Sequence, residues 1–285
     1  MNSAKQWAKQ VMATCFPMHM KKRMFRHLAK GIKEFPRSSE NMENEVVFVG
    51  RLIDEGAVVF DIGANRGDYI FAFDLSGKTD KIFAFEPIPE LAAQLRRMFP
   101  RARVHQVALS NSTGSSVFRI PYINNRYFDT RGTLESHTED AQTNTRSIQV
   151  QLSTLDLFCA ENRVDRLDFI KIDVEGHEWS VLKGAKATLE RCRPLCLVEI
   201  EQRHHDETPI SEIVSWVEDL QYGAYYYMPG INEFQPFQSF DVSVHQNKEV
   251  LSERKKYINN FFFVPLERRD EILSRFDSIA KLMGG

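Results

Sequence analysis

Long apolar runs are missing from this chain of 285 residues. Nothing reaches the roughly 20 consecutive apolar residues that a membrane-spanning helix needs. No stretch reads as a secretory leader with an apolar core before a small-residue cleavage site. Cysteine is scarce. Cys15, Cys159, Cys192 and Cys196 form no zinc-type double pair, and Cys192 and Cys196 read as packing residues. A reducing, cytoplasmic setting is therefore the expectation. Net charge is also nearly absent, at −2, which argues against a nucleic-acid binder. Internal repeats and low-complexity tracts are lacking. One local absence stands out: Met1 to Lys33 carry eight Lys or Arg and no Asp or Glu. Met20, Met24, Leu28 and Ile32 recur there at a spacing of four, a helical stripe. Residues 1–45 are expected to be a basic helical segment that docks on the domain, or that touches a membrane surface or an acidic partner through residues 1–33.

What is present is a core. Hydrophobic residues make up 42% of the chain, too many for a disordered protein. From Val58 onward, apolar runs alternate with amphipathic stretches. "VVFDIGANRG", "KIFAFEP", "ARVHQVALS", "SSVFRIP", "SIQVQLS", "LDFIKID", "PLCLVEI", "AYYYM" and "NFFFVP" read as strands. "ELAAQLRRMF", "TLDLFCAENRV" with Thr154 as N-cap, "EWSVLKGAKATLERC", "ISEIVSWVEDLQYG" ending at Gly223, and "ERRDEILSRFDSIAKLM" read as helices. Strands alternating with helices predict a mostly parallel sheet covered on both faces, within one domain over 46–285. Ligands of such sheets bind beyond the carboxyl ends of the strands. Asp61 to Gly67, Glu86, Asp173 and Glu199 all fall there. The polar stretch at 122–146 is long for a connection, which suits a lid-like insertion. Within it, Arg126, Tyr127 and Arg131 are candidates for contact with a polar acceptor.

Gly63 and Gly67 permit a tight turn ahead of a helix whose first N–H groups are free. Glu86 ends the next strand, where an acid can accept hydrogen bonds from both hydroxyls of a ribose. That pairing suits any adenosine cofactor. The turn lacks the G-x-G-x-x-G order that seats a pyrophosphate, and Asp61 would meet a phosphate unfavourably. An acid there suits a ligand carrying an ammonium and a sulfonium.

With these motifs in place, the chain resembles the FkbM family of S-adenosylmethionine-dependent methyltransferases. The resemblance rests on "VVFDIGANRGDY", "FAFEPIPE", "VALSNSTG", "STLD", "DFIKIDVEGHEWSVLKGA" and "LVEIEQRH", which run from Val58 to His204. It implies an α/β fold of the class I methyltransferase (Rossmann-like) type: a mostly parallel seven-stranded sheet, its last strand antiparallel, with helices on both faces. It implies O-methylation of a hydroxyl on a sugar, glycan or small natural product. Carried over position by position, it implies that Asp61, Gly63, Asn65 and Gly67 line the methionine and ribose part of the cofactor and that Glu86 binds the ribose hydroxyls. The segment from His105 to Ala108 would pass the adenine. Asp173 would sit at the methionine end, facing the acceptor.

Methyl transfer from a sulfonium is an in-line displacement, so the acceptor oxygen needs alignment and one proton acceptor. His177, Asp173 and Glu175 are the candidates, His177 first because an imidazole titrates near neutrality. Glu178 reads as a surface charge at a helix start. A divalent metal on Asp173, Glu175, His177, Glu199 and His204 is possible but not favoured, and no metal ligand is assigned. His204 and His205 read as exposed loop residues or as pocket residues. Two other readings stay open: a non-catalytic protein that binds an adenosyl cofactor, and a nicotinamide-dependent oxidoreductase.

Overall fold

A computed structural model of the protein describes residues 25–33, 43–123, 126–127, 132–135, 144–205, 208–247 and 256–284. Met20, Met24, Cys15 and Arg131 lie outside them, as do the side chains of Arg126 and Tyr127. In chain order, helix α1 spans 25–33 and α2 spans Asn44–Phe48. Strand β1 (Ala57–Ile62), helix α3 (Asp68–Ser76), β2 (Thr79–Phe85), α4 (Pro89–Met98) and β3 (Ala102–His105) follow. Next come β4 (Ala108–Leu109), β5 (Gly114–Ile123), β6 (Arg126–Tyr127) and β7 (Asn144–Ser153). The chain continues with α5 (Leu155–Glu161), β8 (Phe169–Ile172), α6 (Glu178–Lys183), α7 (Lys186–Cys192), β9 (Leu195–Glu199) and α8 (Ile210–Asp219). It closes with β10 (Tyr222–Met228), β11 (Glu233–Pro236), α9 (Val242–His245), β12 (Asn260–Pro265) and α10 (Arg269–Gly284).

The main sheet has eight strands in the order β11-β10-β12-β9-β8-β1-β2-β3. β1 lies in the middle of the parallel run β9-β8-β1-β2-β3, paired with β2 and β8, and all six of its residues are buried. Strands buried on both faces read as continuous apolar runs, which is why "VVF" and "FIKI" show no alternation. Alternate residues still part company. Phe60, Phe83 and Ile170 pack into one apolar layer, Val59, Ile82 and Phe169 into the other. β12 runs antiparallel between β9 and β10.

Several expectations need correction. The sheet is eight-stranded and mixed rather than seven-stranded, because β11 folds back on β10 as a hairpin partner. The "ARVHQVALS" run divides: β3 extends the main sheet, whereas β4 pairs with β7 in a separate four-stranded sheet of order β4-β7-β5-β6. The helix expected over "EWSVLKGAKATLERC" breaks at Gly184. A Cβ there would lie 2.0 Å from the Ser110 carbonyl oxygen, so the backbone of the 108–111 segment occupies the space a longer side chain would need. Helix α8 ends at Asp219, and Gly223 belongs to β10. Thr154 does cap α5, its hydroxyl accepting the Leu157 N–H at 3.1 Å.

Helix α1 packs against the domain through one face. Leu28 is buried, and Phe25 stacks on Phe71 with ring centroids 4.8 Å apart, while Arg26, His27, Lys30 and Lys33 stay exposed. Among the described residues no helix is long and apolar enough to cross a membrane.

Candidate active site

After β1 the chain turns through three left-handed residues, Gly63 (φ +82°), Asn65 (φ +44°) and Gly67 (φ +87°), into α3. Both glycines are required by packing. A Cβ on Gly63 would sit 1.7 Å from the Asp173 carbonyl oxygen, and one on Gly67 would sit 2.6 Å from the Phe99 ring. The turns after β1 and β8 therefore touch, and the cavity opens where they meet.

That cavity has a volume of about 290 Å³. Asp61, Gly63, Asn65, Glu86, Ala108, Asp173, Glu175 and His177 all line it, whereas Gly67 stands outside the lining. Glu43, Asp68, Tyr69, Val107, Leu109, Lys171 and the insertion residues Gly132 and Leu134 complete much of the wall. His105 is not in the wall; its ring stacks against Phe83 and Phe85 and meets Phe158 edge-on. Glu199 and His204 also lie outside the lining.

Glu86 is buried and holds the turn from beneath. Its two carboxylate oxygens accept the backbone N–H groups of Asn65 and Ile88, each at 2.8 Å. A carboxylate offers about four lone-pair positions, so capacity remains toward the cavity. Asp61 differs: it is 2% exposed, and its Oδ2 has no hydrogen-bond partner. Burial pushes its carboxyl up to about 8, with Asp173, Asp68 and Glu86 adding to the effect and Lys171 opposing it. A buried carboxyl oxygen without a partner is costly, and a cationic ligand would satisfy it. The orphaned oxygen above a ribose-ready glutamate fits S-adenosylmethionine.

The sequence pass overlooked Lys171, which is 1% exposed. Its ammonium donates to Asn260 Oδ1 at 2.9 Å, lies 3.9 Å from Asp173 and 4.0 Å from Glu199, and sits 5.2 Å from the centre of the Tyr69 ring. Tyr69 bonds Glu43, and Asn260 also donates to Glu43 at 3.1 Å. A lysine inside "FIKID" breaks an otherwise apolar run, and that interruption was the available signal. The surrounding acids outnumber it. Burial raises Asp173, and raises Glu199 well above the carboxylate range, while Lys171 opposes both shifts.

Beyond β8 the loop residues Glu175 (φ +52°) and Gly176 (φ +97°) are both left-handed. A non-glycine residue there costs about 1–2 kcal/mol, so neighbours must hold it. Glu178 does so from one side. It is 2% exposed, its Oε1 accepts the N–H groups of Val174 and Gly176 at 3.1 Å, and its Oε2 meets His205 Nε2 at 3.1 Å. This corrects the expectation of a surface charge at Glu178. It also removes His205 from the loop surface, since His205 is 7% exposed. The His205 bond leads the interactions that hold Glu178 below the usual carboxylate range despite its burial. Thr133 holds the loop from the other side, its hydroxyl donating to the Glu175 carbonyl at 2.7 Å.

His177 is engaged at both nitrogens: Nδ1 lies 2.6 Å from Glu135 Oε1 and Nε2 2.9 Å from Ser110 Oγ. Glu175 contrasts with it. Burial lifts its carboxyl to about 8, with Asp173, Glu178 and Glu201 adding to the effect, and the opposing Arg203 is itself paired with Glu201 at 2.6 Å. Among the described residues, no group of three or more His, Cys, Asp or Glu side chains is placed to hold a metal ion.

A parallel-centred sheet with an acid-rich cavity at its carboxyl edge is the setting of a nucleotide-cofactor enzyme. Residues 61–223 match the Methyltransferase FkbM domain, and the chain belongs to that family of S-adenosylmethionine-dependent methyltransferases. Among curated proteins it is 31% identical over 178 residues to the 2-O-methyltransferase NoeI of Sinorhizobium fredii, covering 59% of this chain and 72% of NoeI. It is 30% identical over 141 residues to the hexuronic acid methyltransferase AglP of Haloferax volcanii, covering 48% and 53% of the two chains. The crystal structure of an FkbM methyltransferase from Methylobacillus flagellatus aligns with a TM-score of 0.46 at 16% identity, covering 74% of this chain and 44% of that one.

Proposed function

We propose that this enzyme methylates a hydroxyl oxygen of an uncharged sugar or glycan unit. The observation that carries the reading is the acid-rich wall of the cavity, where Glu175 stands with its carboxyl pushed up by burial. A hydroxyl acceptor must lose a proton as its oxygen is methylated. A carboxylate acceptor has none to lose and needs a cation to hold it. Of the two relatives named above, one is a 2-O-methyltransferase and the other a hexuronic acid methyltransferase. Here six carboxyl groups, those of Glu43, Asp61, Asp68, Glu86, Asp173 and Glu175, line the cavity against two cationic side chains, Arg66 and the buried Lys171, and Asn260 already holds Lys171 between two acids. That balance disfavours an anionic acceptor and favours one rich in hydroxyl donors.

When bound, S-adenosylmethionine supplies the electrophilic methyl group. Asp61 would face its cationic end, Asn65 and Gly63 its methionine side, Glu86 its ribose, and Ala108 the adenine. Asp173 would stand at the methionine end, toward the acceptor. Glu175 takes the acceptor proton in its ionised form, and His177 keeps its ring fixed beside the acceptor rather than accepting that proton. Gly132 and Leu134 of the polar insertion line the cavity.

The test offers the enzyme methyl glycosides of neutral hexoses and deoxyhexoses beside methyl glucuronide. S-adenosylhomocysteine release is followed, and the product is identified by mass spectrometry. Methyl ethers of neutral glycosides are expected. Methyl ester formation on the glucuronide alone would overturn the reading, and cofactor binding without turnover on any acceptor would favour a binding protein instead.

A further inference from the structure

Thr133 is a buried polar residue in an otherwise polar insertion, 2% exposed, and neither the motifs nor the proposed chemistry account for it. The backbone of Thr133 exchanges two hydrogen bonds with Arg119 of β5, at 2.9 and 3.0 Å. Gly132 allows that approach, because a Cβ there would lie 2.4 Å from the Phe118 ring. Leu134 packs with Ile88 and Phe118 in the small apolar cluster beneath the second sheet. The segment is thus anchored on its own side. Across the cavity mouth it makes two further bonds. The Thr133 hydroxyl donates to the Glu175 carbonyl at 2.7 Å and accepts the Glu135 N–H at 3.0 Å. The Glu135 carboxylate meets His177 Nδ1 at 2.6 Å.

We propose that Thr133 and Glu135 are positioning residues for methyl transfer: Thr133 fixes the left-handed turn that aims Glu175 into the cavity, and Glu135 fixes the ring of His177. The inference rests on the proposed role of Glu175. A left-handed glutamate relaxes toward extended backbone unless its carbonyl is held, and relaxation would carry the carboxylate away from the acceptor. Glu178 restrains the amide side of the turn, and the Thr133 hydroxyl restrains its carbonyl side. A carboxylate accepting from Nδ1–H leaves Nε2 to accept from the Ser110 hydroxyl, so a single tautomer of His177 satisfies both contacts. In this chain the chemistry thereby depends on a segment that lies outside the 173–178 loop and is bridged to β5 of the second sheet.

The experiment compares Thr133→Val, which keeps the shape and removes the donor, with Thr133→Ser, which restores the donor, in the full chain. With the neutral glycoside that turns over best, Thr133→Val should lower kcat by about 10- to 100-fold, the scale of a small misplacement of a reacting group. Cofactor affinity should stay unchanged, the pH–rate midpoint should fall toward the ordinary glutamate value as water reaches Glu175, and Thr133→Ser should recover most of kcat. Hydrogen exchange at the Gly176 and His177 amides should rise in Thr133→Val and not in Thr133→Ser, a readout that needs no acceptor. Should Thr133→Val fail to fold, Glu135→Gln on the more exposed side serves: it should alter the nitrogen resonances of the His177 ring and lower kcat with unchanged cofactor affinity. Wild-type kcat, pH midpoint and exchange in Thr133→Val would overturn the proposal for Thr133; an unaltered ring and kcat in Glu135→Gln would overturn it for Glu135. If Glu175→Gln is itself fully active, the base assignment fails, and the exchange data still judge the turn.

Discussion

The two ends of the cavity are built in different ways. At the cofactor end the backbone does the shaping: two glycines are pressed against neighbouring chain, and Glu86 spends both oxygens on N–H groups of its own turn. At the acceptor end side chains hold side chains, with Glu135 on His177, His177 on Ser110 and Glu178 on His205. Shape fixed by backbone tolerates little substitution and changes little with pH. Geometry fixed by titratable side chains can be retuned by single residues, and it responds to protonation. The difference teaches where a shared cofactor and a variable acceptor can each be accommodated.

The comparison can be broken at its rigid end first. Gly63→Val should abolish soluble, cooperatively folding protein, since even its Cβ would overlap the Asp173 backbone. Circular dichroism melts check this, and a well-folded variant would show that the two turns are not in obligatory contact. At the tunable end, Glu175→Gln should fold normally, bind S-adenosylmethionine normally, and lose about 10²–10⁴-fold in turnover, the usual contribution of a general base. Wild-type kcat should rise with pH and level off above about 8, because only the ionised Glu175 accepts a proton. A profile that levels off near 6.5, where an ordinary imidazole titrates, would return the role to a histidine.

Glu86→Ala tests the cofactor end in binding and in stability. It should weaken cofactor binding by about 1.5–3 kcal/mol, or roughly 10- to 150-fold, as for charge-assisted hydrogen bonds. It should also lower the melting temperature, because the Asn65 and Ile88 amides lose their acceptor. Calorimetric titration and thermal melts separate the two effects. The smallest effect is expected at Glu45, buried near Lys171 and lifted to about 8, mainly by burial and then by Glu43. A carboxyl raised in the folded state stabilises it fully below the unfolded value near 4.5 and loses that contribution as pH rises through about 8. Glu45→Gln should therefore flatten the fall in melting temperature between about pH 4.5 and 8, by about 2–4 °C for each kcal/mol removed. Identical pH dependence in both proteins would show that Glu45 is not protonated in the fold.

The same contrast explains what the sequence made legible. Asp61, Gly63, Asn65, Glu86 and Asp173 each end or directly follow an apolar run, so the sequence alone puts them at one edge of the sheet, and all five line the cavity. The acceptor side joins residues far apart in sequence: Ser110 with His177, Thr133 with Glu175, Lys171 with Asn260. No local period marks such pairs. Glu178 was misread for a related reason. An acid in the first turn of a helix usually faces water, and only the tertiary position of His205 shows that this one does not. The second sheet escaped notice because "SSVFRIP" and "SIQVQLS" look like ordinary members of an alternating series, and β5 and β7 prefer each other to the main sheet.

The position of β12 has a consequence for synthesis of the chain. The residues that match the family end at 223, yet the strand joining β9 to β10 comes from 260–265. While the polypeptide is still emerging from the ribosome, that slot stands open, with two unpaired strand edges on either side and the Lys171 ammonium still lacking its Asn260 partner. Exposed edges of this kind invite pairing with other chains. The nascent protein is therefore vulnerable until β12 is in place, and a fragment cut at the end of the family match would lack β10 and β11 as well, leaving the β9 edge unpaired.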